Sequence, residues 1–180
     1  MTLPEQYRWI TREGGPLMVN NAVQMYGTAE ILGARNNPII LSWAKEIDPN
    51  NKNVGRDYTA DSIPWCGLFI AIVAKRSNKE IVNQPLWALN WRNFGKAVAQ
   101  PMLGDVLVFL RDGGGHVGIY VGEDSECYHV LGGNQSNTVC ITRIRKNRLK
   151  AARRPNYINQ PTNVRRILLS ASGAISRNES

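Results

Sequence analysis

The sequence predicts an α+β domain, with helices first and an antiparallel β-sheet after them. Up to Arg76 the apolar residues recur at helical spacing, and from Gly104 onward they recur at every second residue. With 180 residues, 43% of them hydrophobic, the chain can bury one core without a disulfide or a structural metal.

Val19 to Ile47 reads as helix in two pieces. Ala22, Val23 and Tyr26 share a face, as do Ile39, Ile40, Trp43 and Ala44, and Gly33 to Pro38 separates the two groups. A further helix is expected to begin near Pro64: Asp61 or Ser62 can cap it, proline suits a first turn, and Lys75 and Arg76 fall in its last turn. Its body is almost wholly apolar, which predicts burial between other elements. Strands are expected at Asp105 to Leu110, His116 to Val121, Cys127 to Leu131 and roughly Val139 to Ile144, the last following a turn at Gln135 to Thr138. Beyond Pro155 a short apolar group, Ile167 to Leu169, precedes a Ser-rich end expected to be mobile. The expected organisation is one domain over residues 1–157 and a basic, flexible tail over 158–180.

Several classes are disfavoured. Cys66, Cys127 and Cys140 are odd in number and lack CxxC spacing, against a disulfide framework or a structural zinc site. Two histidines without an HExxH pattern argue against a metal enzyme, so no metal and no cofactor is expected. The longest apolar stretch, Ile63 to Ala74, has 12 residues and is too short to span a membrane. The start, MTLPEQYRWI, has no basic segment and apolar h-region, so synthesis in the cytoplasm is expected, with release or export before any action outside it. The formal charge of +8 is concentrated from Arg143 onward, where Arg143, Arg145, Lys146, Arg148, Lys150, Arg153, Arg154, Arg165, Arg166 and Arg177 face Glu179 alone. Such a region would draw the chain to polyanions, or serve only as a solvated face.

The chemistry gathers around Cys66, in Pro64-Trp65-Cys66-Gly67. At a helix N-terminus the unpaired N–H groups and the dipole favour thiolate, which predicts a lowered thiol pKa. Gly67 would let a substrate backbone approach, and its N–H or that of Cys66 could hold an oxyanion. His116 opens a strand after Gly113-Gly114-Gly115; by alternation it shares a face with Gly118 and Tyr120, while Val117, Ile119 and Val121 share the other. A Cys66 helix lying across the His116 face would let imidazole meet thiol. The base needs an orienting partner, for which His129 and Asn134 both stand on the next strand and turn. Trp65 and Gln135 flank the centre and could contact substrate.

The order of a cysteine, then GDVLVF, then GGHVGIYVG, then a polar residue on the following strand resembles the NlpC-type and CHAP cysteine peptidases. PWCG with LGGNQSN, and GTAEILGARNNPIILSWAKE upstream, are similar to a compact CHAP-like group of bacteria and phages, over roughly residues 25–155. The resemblance implies a papain-like fold with the nucleophile helix packed on an antiparallel sheet, Cys66 as nucleophile and His116 as base. It implies Asn134 as the third residue, from its GGNQ context, with His129 matching the alternative histidine of NlpC-type enzymes. The usual CHAP glutamate falls on Gly132.

The function expected from this resemblance is hydrolysis of an amide bond in peptidoglycan, by a stem-peptide endopeptidase or an N-acetylmuramoyl-L-alanine amidase. The chain is expected to be a monomer whose partner is peptidoglycan, with anionic envelope polymers drawn to the basic region. A phage endolysin, a host wall-remodelling enzyme and an antibacterial effector all fit. The rival readings are a Cys-His amidase acting on another substrate and a basic nucleic-acid-binding module. The second lacks aromatic interleaving, helix-turn-helix or zinc-finger spacing.

Overall fold

The computed structural model describes residues 2–33, 35–48, 54 and 58–176. It is an α+β fold: among the described residues four α-helices precede six antiparallel strands. The helices are α1 (Trp9–Glu13), α2 (Leu17–Gln24), α3 (Pro38–Ile47) and α4 (Cys66–Arg76). The strands are β1 (Lys96–Ala97), β2 (Val106–Arg111), β3 (Gly114–Glu123), β4 (Cys127–Gln135), β5 (Thr138–Arg145) and β6 (Leu149–Arg154), ordered β1-β6-β2-β3-β4-β5. Among the described residues no helix is long and apolar enough to cross a membrane.

Helix α4 is the centre of the core. Every residue from Cys66 to Ala74 is buried, as its continuous apolar run requires. Trp43 of α3 packs on Trp65 and Phe69 with ring centroids 6.0 and 6.2 Å apart. On the sheet side Gly133 admits the helix: a Cβ there would lie 2.5 Å from Phe69 Cβ and 2.7 Å from Trp65 Cζ3. At the far end Arg76 pairs with Glu46 of α3 at 2.7 Å.

The helix begins at Cys66, with Trp65 as its N-cap residue and no side-chain cap. Asp61 does not cap it. Its Oδ2 accepts the N–H groups of Ile31 and Asn37 instead, at 3.0 and 2.7 Å, and so fastens the segment ahead of α3. Asn37 caps α3 through Ile39 N. The earlier helical piece ends at Gln24, well before the expected break. From Gly27, where φ is +86°, the chain runs along the start of β5: Gly27 N donates to Val139 O, Val139 N to Thr28 O, and Glu30 N to Asn137 O. Those N–H groups serve a strand edge and are lost to any helix.

The meander β2-β3-β4-β5 matches expectation, and its last hairpin turns through Ser136 and Asn137 with φ of +52° and +59°, the signs a type I′ turn demands. Strands β1 and β6 were not anticipated. β6 inserts between β1 and β2, pairing Leu107 with Ala152, and Arg154 from it reaches the buried Asp105 at 2.8 Å.

The expected flexible tail is instead docked as far as Ser176. Residues 164–176 follow the sheet through parallel bridges Glu123↔Leu168 and Arg143↔Ile175. Leu169 fills the space left by Gly122, where a Cβ would stand 2.4 Å from its Cδ1, and Ile167 is buried. Burial of these two side chains offsets the entropy of ordering the segment. Arg177 and the residues after it lie outside the described residues. The basic region is also less open than its charge suggests, because Arg143, Arg145, Lys146, Arg154, Arg165 and Arg166 pair with Asp124, Glu126, Glu123, Asp105, Glu13 and Glu123.

Candidate active site

Cys66 is the first helical residue of α4 and is 4% exposed. The N–H groups of the helix start, from Cys66 and Gly67, and that of Val117 on β3 act on its thiol in the direction of thiolate. β3 and β4 pair from Ile119↔Leu131 onward, whereas the register of β4 against β5 shifts between Gly132 and Gln135. Val117, paired with Val108 of β2, follows His116 directly, and its amide favours the Cys66 thiolate.

The expected lowering of the thiol pKa is not found. Burial pushes Cys66 up, and it outweighs the Val117 amide, the Arg111 guanidinium and the two helix N–H groups, all of which favour thiolate. Arg111, at the end of β2, escaped sequence reasoning because only the hairpin geometry brings its charge toward the sulfur.

His116 is 1% exposed and pairs across the ladder with Phe109. Its Nε2 lies 3.0 Å from Gln135 Oε1. The Gln135 amide nitrogen is already committed, donating to Cys140 O at 2.6 Å and Val130 O at 3.2 Å. Its oxygen can therefore only accept, so His116 carries its neutral-state proton on Nε2 and keeps Nδ1 as the basic nitrogen.

The partner expected at Asn134 is thus Gln135. The bulge in β4 adds a residue and reverses the alternation, turning Gln135 rather than Asn134 toward the imidazole. Asn134 sits at φ +55° and its buried Oδ1 has no hydrogen-bond partner among the described residues. Gly132 makes the arrangement possible: a Cβ there would lie 2.8 Å from Gln135 Oε1 and 3.2 Å from His116 Nε2. A glutamate at that position would collide with the pair. Val130 fills the space beside Gly118, where its Cγ1 would be 2.4 Å from a Cβ.

Two other expected site residues lie elsewhere in function. Trp65 is fully buried, stacked in the core, with its indole N–H donated to Glu30 Oε1 at 2.7 Å, so it cannot contact substrate. Gln135 is buried and occupied by His116 and the two carbonyls, not open to substrate. His129 belongs to a separate buried network. Asp124 Oδ2 accepts from His129 Nε2 at 2.9 Å and Arg143 Nε at 2.8 Å, and Tyr7 OH meets His129 Nδ1 at 2.6 Å. Burial would raise the Asp124 carboxyl, yet Arg143, the Glu126 and Cys127 amides and His129 hold it well below the usual range. Asp124 is thus an acceptor, His129 donates from Nε2, and Nδ1 accepts from the Tyr7 hydroxyl. Burial lowers His129 despite Asp124, so the ring is neutral at pH 7.

Among the described residues no group of three or more His, Cys, Asp or Glu could hold a metal. A scan against protein-family models finds no match to this chain, and neither does a search of curated proteins.

Proposed function

We propose that this protein is a cysteine hydrolase that cleaves an amide bond of peptidoglycan, with a papain-like disposition of nucleophile helix and sheet. The observation that carries the chemistry is the His116–Gln135 bond, which leaves Nδ1 as the base, on a strand whose next amide favours the Cys66 thiolate. The wall as substrate is supported by the ordered resemblance of four separated motifs to the NlpC-type and CHAP peptidases.

Because burial favours the neutral thiol, Cys66 loses its proton to His116 Nδ1 as Sγ attacks the carbonyl carbon. The helix N–H groups hold the resulting oxyanion. The imidazolium then gives that proton to the leaving amine, producing an acyl-enzyme. Water, deprotonated by His116, attacks the thioester, and the acid departs as the thiol is restored. Gln135 accepts from Nε2–H throughout and so stabilises the imidazolium without a carboxylate.

The nucleic-acid-binding reading loses ground because six of the basic residues are spent on internal ion pairs. The same pairing weakens attraction to anionic envelope polymers. Mass spectrometry of soluble products from purified peptidoglycan tests the proposal. New muropeptides are expected with the native protein and none with Cys66→Ala, since loss of a catalytic group removes about 100- to 10,000-fold in rate. Product masses distinguish endopeptidase from amidase. A folded protein that releases nothing across wall types and pH rules out the wall hydrolase.

A further inference from the structure

Ile47, Asp48, Val54 and residues 81–87 line a groove that the chemistry above does not use. It has a volume of about 630 Å³, in the range of small-ligand sites, and continues into a second depression sharing Ile81 to Gln84. Its walls are unlike the rest of the basic molecule. Asn83, Gln84, Asn90 and Asn93 contribute neutral amides, Asp48 is the only charged residue among the described residues that line it, and Trp87 stands at its lip with 71% of its surface exposed. The other tryptophans are buried or packed against the core.

The loop is held rigidly. Asn90 Nδ2 donates to the carbonyls of Asn83 and Gln84 at 3.2 Å each, and Trp91 Nε1 holds Pro85 O at 2.9 Å. Gln84 is kept at φ +50°, a conformation that side chains other than glycine rarely adopt and that persists only where surroundings impose it. The loop also touches the candidate centre. A Cβ on Gly67 would lie 2.3 Å from Pro85 O and 2.6 Å from Leu86 O, so the groove floor rests on the residue next to Cys66.

We infer that this groove binds a neutral glycan of N-acetylated hexosamines, a deepening that rests on the wall-hydrolase reading. An exposed indole offers an apolar face to the C–H side of a pyranose, and fixed amides suit hydroxyl and acetamido groups. A short, prearranged loop loses little entropy on binding. Through Gly67 the sugar chain would lie along the start of α4, holding the attached peptide near the nucleophile.

The test is titration of Cys66→Ala protein with penta-N-acetylchitopentaose, followed by tryptophan fluorescence and calorimetry, beside a sugar-free stem peptide. Saturable binding of the oligosaccharide is expected, weakened at least tenfold by Trp87→Ala and less by Trp87→Phe, with stem-peptide binding unchanged. Trp87 is exposed, so both variants should keep the native circular dichroism. No saturable binding at millimolar sugar, or binding indifferent to Trp87→Ala, overturns the inference. The probe contains no scissile peptide, so the two readings fail separately: sugar binding without wall hydrolysis removes the enzyme, and hydrolysis without sugar binding removes the groove.

Discussion

Gln135 Oε1 accepts from His116 Nε2 at 3.0 Å because both hydrogens of the same amide are bound by Val130 O and Cys140 O. The side chain cannot flip without breaking two bonds to recover one. The imidazole is therefore fixed in tautomer as well as position.

Replacing Gln135 by Ala frees the ring and removes the donor to two carbonyls. Hydrolysis is expected to fall by up to about 10,000-fold, the loss produced by a misassigned tautomer in a serine-protease triad. Asn134→Gly, which suits the positive φ at that position, should keep His116 oriented and cost far less in kcat. Steady-state kinetics on a soluble muropeptide decides. Equal losses in the two variants would return the orienting role to Asn134.

The elevated thiol pKa of Cys66 gives a second expectation. Below the ordinary thiol value of about 8.5 the group is protonated in both folded and unfolded chains; above it only the folded chain retains the proton. Alkylation of Cys66 by iodoacetamide, followed by peptide mapping, should keep rising above pH 8.5 and show no plateau near pH 6. The stability that this group contributes is present below that value and is lost as pH rises through the folded pKa. An acid plateau would mean a preformed thiolate pair and a different resting state.

Asp124 and His129 both have lowered pKa values, so each contributes stability that is present above its unfolded pKa and lost as pH falls through its folded one. Thermal stability should decline on acidification below about pH 6.5, where a free histidine would charge, and again below about 3.9 as carboxylates protonate. Asp124→Ala strands the Arg143 charge, which is 9% exposed, and should cost about 3 to 5 kcal/mol. Calorimetric scans from pH 3 to 8 measure both. A flat profile would show that the network carries no charge linkage.

Much of the site was legible because its parts are local. A cysteine opening an apolar helix and a histidine near the start of a strand are sequence patterns; Cys66 does open α4, and His116 stands two residues inside β3, which begins at Gly114. What escaped depends on irregularity or on distant chain. A single bulge reversed the alternation at Gly132 to Gln135, so the third residue was read one position early. β6 reads LKAARR, with too little apolar alternation to announce a strand; its partners β1 and β2 and the Asp105 carboxylate stabilise it. Trp65 looked available because aromatic residues suit core and binding site alike, and only tertiary packing distinguishes them.

The docked C-terminal segment has a mechanical consequence. Ser172 Oγ donates to Gln6 Oε1, Arg143 Nη1 holds Gly173 O, and Tyr7 joins the same Asp124–His129 cluster from the other end of the chain. The two ends are thus clasped to one another and to one buried knot. A load applied between them, by a fused domain or a surface tether, would strain this clasp before the strands that carry Cys66 and His116 felt it. The clasp is the molecule's fuse.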